Sequence, residues 1–352
     1  MLTGTYTPLG PRNTLRFVDL FCGIGGFHLA AEQVCHERGL VPKCVFACDI
    51  DPDAQKAYEA NFGQRPEGDI TKVEASAIPE HDVLFAGFPC QAFSIIGDRR
   101  GFDDTRGTLF FDIARILDTK RPRAFVLENV KQLRSHDKGR TLATITHTLS
   151  ELGYHVQHKV LNALRFGLPQ KRERIFIVGF REPRFFEWPL GNVPMTPLSQ
   201  VLEQDVAEFY YASDKIRLSR EAKRANKKQY YEPTVWHENK AGNISAYPYS
   251  CALRAGASHN YLLVNGERRL TEREMLRLQG FPDSYKIVSG YATTRKQAGN
   301  SVAVPCVAAV FRKVMDALDR SEIISDTAKT RSMQGQLFLD LQATERLSVG
   351  AG

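Results

Sequence analysis

Hydrophobic and polar positions along the chain switch repeatedly between two periods. Residues 15–20 form a mainly apolar, strand-like run; Cys22-Gly-Ile-Gly-Gly26 breaks it; residues 27–34 resume with helical spacing. The same change of period recurs at 44–48 then 52–62, at 82–86 then 108–118, and at 124–127 then 141–152. Residues 155–161 are followed by a further strand-like run at 174–179. Strands alternating with helices predict an α/β fold, a mostly parallel sheet with helices on both faces.

From Arg181 onward the alternation fails. Residues 185–268 offer short runs, aromatic pairs and a basic window without regular period, which predicts a second, smaller module over 182–268. Helical spacing returns at 271–278, where Thr271 is an N-cap candidate and Glu274 completes a capping box, and again at 301–318. The first domain, 1–181, is therefore expected to resume over 269–320. The remaining tail, 321–352, is polar apart from Leu337-Phe-Leu339 and Leu341, and no order is expected of it.

The 352 residues, 43% hydrophobic and 25% charged, have the balance of an ordinary globular protein of about two domains, which excludes collagen-like, mucin-like and wholly disordered chains. No apolar stretch approaches the roughly 20 residues of a bilayer-spanning helix, and the N-terminal residues lack a signal-like apolar core. A soluble, unexported, cytoplasmic protein is expected. Seven cysteines with no CxxC pair read as reduced thiols rather than as a disulfide framework or a zinc site. A net charge of +7 favours a polyanionic partner without specifying one. Within it, residues 215–228 carry seven Lys/Arg against one acid, close to Tyr210, Tyr211, Tyr230 and Tyr231. Such a run is either a solvated helix face or a phosphate-binding patch.

Candidate chemistry gathers at the predicted strand ends. A glycine turn between strand and helix either packs the helix on the sheet or lets the backbone approach a ligand. Asp49, ending the second strand, is placed to accept ribose hydroxyls, and Asp69-Ile70 ends a third segment. Neither GxxxxGK[ST] nor GxGxxG spacing is present, so a nucleoside cofactor without a polyphosphate fits best. S-adenosylmethionine is such a molecule, its ammonium group within reach of Asp19 or backbone carbonyls and its adenine resting on Ile50.

Cys90, between Pro89 and Gln91 after another apolar run, sits where open α/β sheets keep their sites; Cys44 and Cys48, inside a strand, read as small buried hydrophobes. Gly97, Gly101 and Gly107 punctuate the basic segment that follows, as in a mobile lid. Glu128 ends the next strand at the same edge, either facing the cleft or pairing with a surface cation. Arg172 and Arg174 share one side of an extended segment, as ordinary edge charges or as ligands for an anion or a carbonyl oxygen.

Six blocks, FVDLFCGIGGF (17–27), GFPCQAFS (87–94), ENV (128–130), QKRERIFIVG (170–179), RLTEREMLRLQGFP (269–282) and QAGNSVAVP (297–305), resemble in order the signature blocks of DNA (cytosine-C5) methyltransferases. Together they span nearly all of 15–318 except the central variable stretch. The chain is most similar to the small bacterial enzymes of restriction–modification systems, whose target-recognition domain occupies the place of residues 182–268.

The resemblance implies a Rossmann-like adenosylmethionine-dependent methyltransferase domain with a smaller target-recognition domain. It makes Cys90 the nucleophile on cytosine C6, Glu128 the partner of N3 and Arg174 that of O2, with Arg172 and Gln170 supporting the loop. For the cofactor it implies Phe21, the turn Gly23, Gly25 and Gly26, Asp49 for the ribose, Asp69 and Ile70 for adenine, and Pro89, Leu109, Asn300 and Ser301 as further pocket positions. Double-stranded DNA is the implied partner, bound by a monomer, with contacts expected from Gln91, Ser94, Arg99, Arg100, Arg106, Gln170 and Arg254. A restriction endonuclease would be a genetic rather than a physical partner. Ala252-Leu253 stands where many relatives have Thr-Leu, which puts the backbone contact there in doubt.

The implied chemistry needs these residue types. A thiolate adding at C6 turns the C5–C6 double bond into an enamine, and the charge pushed toward N3 and O2 calls for an acid and an arginine. Nearby arginines would favour the thiolate of Cys90. A stacked base hides C6, so the cytosine must be flipped out at a cost of a few kcal/mol, offset by phosphate contacts. Two rivals remain: an RNA-directed enzyme on the same scaffold, whose transfer-RNA relatives carry a Cys-Phe-Thr signature absent here, and a catalytically silent DNA-binding module, which usually loses the Pro-Cys or Glu-Asn pair.

Overall fold

The computed structural model describes residues 13–89, 109–224 and 233–320. The chain runs through β1 (Thr14–Leu20), α1 (Gly26–Glu37), β2 (Val41–Cys48), α2 (Pro52–Phe62), β3 (Val83–Gly87), α3 (Leu109–Lys120), β4 (Ala124–Val130), α4 (Arg140–Glu151), β5 (His155–Asn162), β6 (Gln170–Lys171) and β7 (Glu173–Phe180). It continues through α5 (Asp214–Ala222), β8 (Val235–Glu238), β9 (Ile244–Tyr247), β10 (Ser250–Cys251) and β11 (Leu262–Val264) to α6 (Glu272–Gln279), α7 (Tyr291–Asn300) and α8 (Val304–Asp319).

Six strands form the main sheet in the order β2-β1-β3-β4-β7-β5. Strands β1 to β4 pair in parallel, and β7 is antiparallel to both its neighbours, β4 and β5. The Rossmann-like expectation holds; the reversed strand between β4 and β5 is an addition that hydrophobic period does not encode. Successive side chains face opposite ways, so each strand feeds two cores. Phe17, Phe85 and Val126 pack with α1 and α8, while Val18, Leu84 and Leu127 pack with α3 and α4.

Helix α6 starts as its sequence foretells: Thr271 accepts the Glu274 N–H and Glu274 reaches back to the Thr271 N–H at 2.8 Å. Helix α7 has no such forewarning in the chain. Its buried side is Thr294, Gln297, Ala298 and Gly299, small or polar residues that leave no apolar stripe to read.

Within 182–268, β11, β8 and β9 form a three-stranded antiparallel sheet, and β10 pairs with β6. Val235, Leu262 and Val264 join the same hydrophobic cluster as Phe311 of α8, so this module packs directly on the main core. The basic window is less free than its composition implies. Arg217 pairs with Asp214 on its own helix, Arg224, just past the helix end, pairs with Glu221, and Arg220 is buried with its guanidinium 2.8 Å from Glu238 and bonded to the Asn260 carbonyl. Lys215 and Lys223 form no ion pair among the described residues, while Lys227, Lys228, Tyr230 and Tyr231 lie outside them.

Candidate active site

Strands β1 to β4 all deliver their carboxyl ends to one edge, where the backbone carbonyls stop and turns begin. A cavity of about 500 Å³ opens there. The β1 and β2 ends supply one side of it; β4 and β7 supply the other. Strand β3 alone separates β1 from β4, so the two sides lie about 10 Å apart at ordinary strand spacing.

On the first side, Phe21 takes the left-handed backbone conformation (φ 53°), uncommon for a bulky residue and costing on the order of 1 kcal/mol, and it lines the cavity. Gly23 donates its N–H to Asp49 Oδ2 at 2.7 Å, and Asp51 donates to Oδ1 at 2.9 Å, so the Asp49 carboxylate is held by backbone on both oxygens. Burial raises its pKa, and those two N–H groups hold it down. Ile50 (73% exposed), Asp69, Ile70, Leu109 and Asn300 complete this wall. Thr71 bonds keep the Asp69 carboxyl below its ordinary pKa.

On the second side, Glu128 pairs across the ladder with Phe176, and Val130 with Arg174. Glu128 and Arg174 are thus diagonal neighbours on one sheet face, and Arg174 Nε lies 3.0 Å from Glu128 Oε1. Glu128 is only 8% exposed, and burial raises its pKa against the opposing charges of Arg174 and Arg172. This carboxyl holds a proton to higher pH than an ordinary glutamate does. Pro89 lines the cavity between the two sides, and the Phe88 carbonyl just before it accepts from Asn129 Nδ2 at 2.9 Å.

Several expectations need correction. Asp19 faces the α1 side of β1, is wholly buried and does not line the cavity, so its carboxyl is not presented to a ligand there; burial, then the Asp49 charge, raises its pKa. Gly25 and Gly26 serve packing: a Cβ at Gly25 (φ 83°) would stand 2.1 Å from the Phe62 ring, and one at Gly26 2.6 Å from Val302. Ser301 is buried with its hydroxyl 3.3 Å from the Val302 carbonyl, off the cavity wall. Gln170 is fully buried and cannot touch DNA; its amide bonds Leu278, Gln279 and Leu253. Arg172, by contrast, lines the cavity and donates to the Leu253, Gly299 and Ser301 carbonyls, a bracing arrangement compatible with the loop support that the resemblance implies. Arg254 is exposed, with its guanidinium 4.7 Å from the Tyr261 ring centre. Cys90, Gln91, Ser94, Arg99, Arg100 and Arg106 lie outside the described residues.

Residues missed in sequence include Asn129, quoted in a motif without a role, and Lys296, which lines the cavity and bonds Asp51 Oδ2 at 2.8 Å. A lysine on a helix without apolar period carried no signal.

The family model for C-5 cytosine-specific DNA methylase matches residues 15–316. The chain belongs to that family. It is 55% identical to the type II methyltransferase M.NgoBI of Neisseria gonorrhoeae over 86% of this chain and 93% of the relative. It is 52% identical to M.HaeII of Haemophilus aegyptius over the same shares, and 42% identical to M.HhaI of Haemophilus parahaemolyticus over 82% and 91%. In fold it resembles the Entamoeba histolytica methyltransferase EhMeth, with a TM-score of 0.66 and 18% identity over 87% of this chain and 99% of that one.

The protein is a DNA (cytosine-5-)-methyltransferase, and S-adenosyl-L-methionine is its methyl donor. The first wall fits that donor in its chemistry: carboxylates at Asp49, Asp51 and Asp69 suit hydroxyl and cationic groups, and Phe21, Ile50 and Ile70 offer apolar faces to a base. Among the described residues, no helix of this methyltransferase is long and apolar enough to cross a membrane.

Proposed function

We propose that the protein methylates C5 of one cytosine within a short specific sequence of duplex DNA, by flipping that base out of the helix and adding the Cys90 thiolate to its C6. The observation that carries this reading is a single cavity with a protonated-leaning, arginine-paired carboxyl at Glu128 on one wall and the Asp49 carboxylate on the other. Pro89, the residue before Cys90, lies between them.

Addition of sulfur at C6 breaks the C5–C6 π bond and moves its electrons toward N3 and O2. Glu128 donates its proton to N3, and Arg174 stabilises the charge on O2, both inside a site where burial strengthens each interaction. Adenosylmethionine, when bound, supplies an electrophilic sulfonium methyl, which C5 acquires. Loss of the C5 proton to a base then restores the C5–C6 double bond and expels the thiolate, and N3 returns its proton to Glu128. Asn129, by holding the Phe88 carbonyl, fixes the chain that leads into Cys90. Residues 182–268 act as the target-recognition domain, with Lys215, Lys223 and Arg254 reaching the DNA.

The relatives named as type II methyltransferases support a modification role in a bacterial restriction–modification system; on this reading the enzyme acts in the cytoplasm as a monomer, and the endonuclease is a genetic partner. Bisulfite sequencing of DNA treated with purified protein and adenosylmethionine tests the reading. Protection of one cytosine in a fixed short sequence is expected, and loss of all protection in Cys90→Ala. Protection without sequence preference removes the specific-site reading; protection retained in Cys90→Ala removes the thiolate.

A further inference from the structure

We propose that Gln279 is a positioning residue that couples DNA bound along residues 252–260 to the cofactor wall at Asn300, an inference that rests on the function proposed above. Gln279 ends α6, is fully buried and does not line the cavity. Its amide nitrogen donates to the Ala298 carbonyl at 2.5 Å, two residues before Asn300, and its amide oxygen accepts from Gln170 Nε2 at 3.2 Å. Gln170 in turn accepts the Leu253 N–H at 3.0 Å. A chain of two buried amides therefore joins the segment carrying exposed Arg254 to the helix end carrying Asn300.

Two further observations tie the same pair of segments. Arg172 donates to Leu253 O at 3.1 Å and to Gly299 O at 3.2 Å, a second bridge across the same gap. The backbones also meet directly: a Cβ at Gly299 would stand 2.4 Å from the Ala255 nitrogen, a closeness only glycine permits. Breaking hydrogen bonds between fully buried amides makes displacement of either segment costly to the other. DNA that engages Arg254 and fixes residues 252–260 thereby lowers the cost of fixing the cavity wall at Gly299 and Asn300 around the cofactor, and the effect is reciprocal.

The test compares the dissociation constant of S-adenosylhomocysteine, which binds without turnover, in the absence and presence of unmethylated phage DNA. In the wild type, DNA is expected to tighten it by about fivefold or more. In Gln279→Met, of similar volume but without the amide, that ratio is expected to fall most of the way to one. Gly299→Ala, which pushes Ala255 away by an independent route, is expected to do the same. A purely structural role weakens both constants alike and leaves the ratio unchanged, and that result overturns the inference, as does a ratio of one in the wild type. Unfolding of both variants, seen in thermal melts, overturns it too, because the network would then support the fold and not link the sites. Failure of the underlying function looks different: the wild type would leave DNA unmethylated.

Discussion

Replacing Glu128 by Gln keeps the side-chain volume and a hydrogen-bond donor for N3 but removes the transferable proton. In the structure Glu128 is 8% exposed and paired at 3.0 Å with Arg174, and burial is the largest influence on its raised pKa. General acid catalysis contributes on the order of 100-fold or more, so kcat should fall by at least about 100-fold, or about 2.7 kcal/mol. The wild-type rate should also decline as pH rises through the raised pKa of Glu128, because the protonated form is then lost. The amide introduced by Glu128→Gln cannot ionise, so the variant should lack that limb.

Stability should move the other way. A carboxyl with a raised folded pKa contributes stability that is complete below its ordinary value of 4.5 and is lost as pH rises through the folded value. E128Q escapes that loss and should melt no lower than wild type at neutral pH. Cofactor affinity should be nearly unchanged, since Asp49 and Phe21 belong to the other wall. The assay is tritiated methyl incorporation into DNA, measured as a function of pH for the wild type and for Glu128→Gln side by side. Retention of full kcat, or an unaltered alkaline limb, would refute the role of Glu128 as proton donor.

Asp49→Asn exchanges a carboxylate that accepts two backbone N–H bonds for an amide that can accept only on one side, and cofactor binding by calorimetry should weaken about tenfold, as for the loss of a charged hydrogen bond; a change of less than about twofold would remove Asp49 from the ribose. Gly25→Ala meets both a left-handed backbone and the Phe62 ring, so thermal unfolding should show a loss of about 2 kcal/mol or more, and an unchanged midpoint would return Gly25 to the ligand. Lys223→Ala should reduce the salt dependence of DNA binding by about one counterion without altering the melt, whereas Arg220→Ala should lower the melt, since it strands Glu238; the reverse pattern would reassign the two residues.

Much of the site could be read in the chain because its residues cluster at element boundaries. Phe21, Gly23, Asp49 and Glu128 fall at or just past the end of an apolar run, and a parallel sheet necessarily brings such ends to one edge; Asp69, after the polar residues 64–68, joins them there. Type alone could not separate the ligand-facing members from their neighbours. Asp19 and Glu128 are both acids late in buried strands, yet Asp19 is packed away beneath α1 while Glu128 opens on the cavity.

The alternation of strands and helices, the capping box of α6, the membership of the family and the order of its motifs are all written in the linear chain, because they depend on local period and on short runs of residues. Folding in three dimensions was needed to reveal the antiparallel insertion of β7, which places Arg174 one diagonal step from Glu128, and the burial of Gln170, Arg172 and Arg220, which turned expected DNA contacts and free charges into internal ties. The same holds for helix α7, whose buried face is small and polar and whose Gly299 closely approaches the 254–255 backbone, features that hydrophobic period does not record. Such facts depend on partners far along the chain, and no local pattern records them.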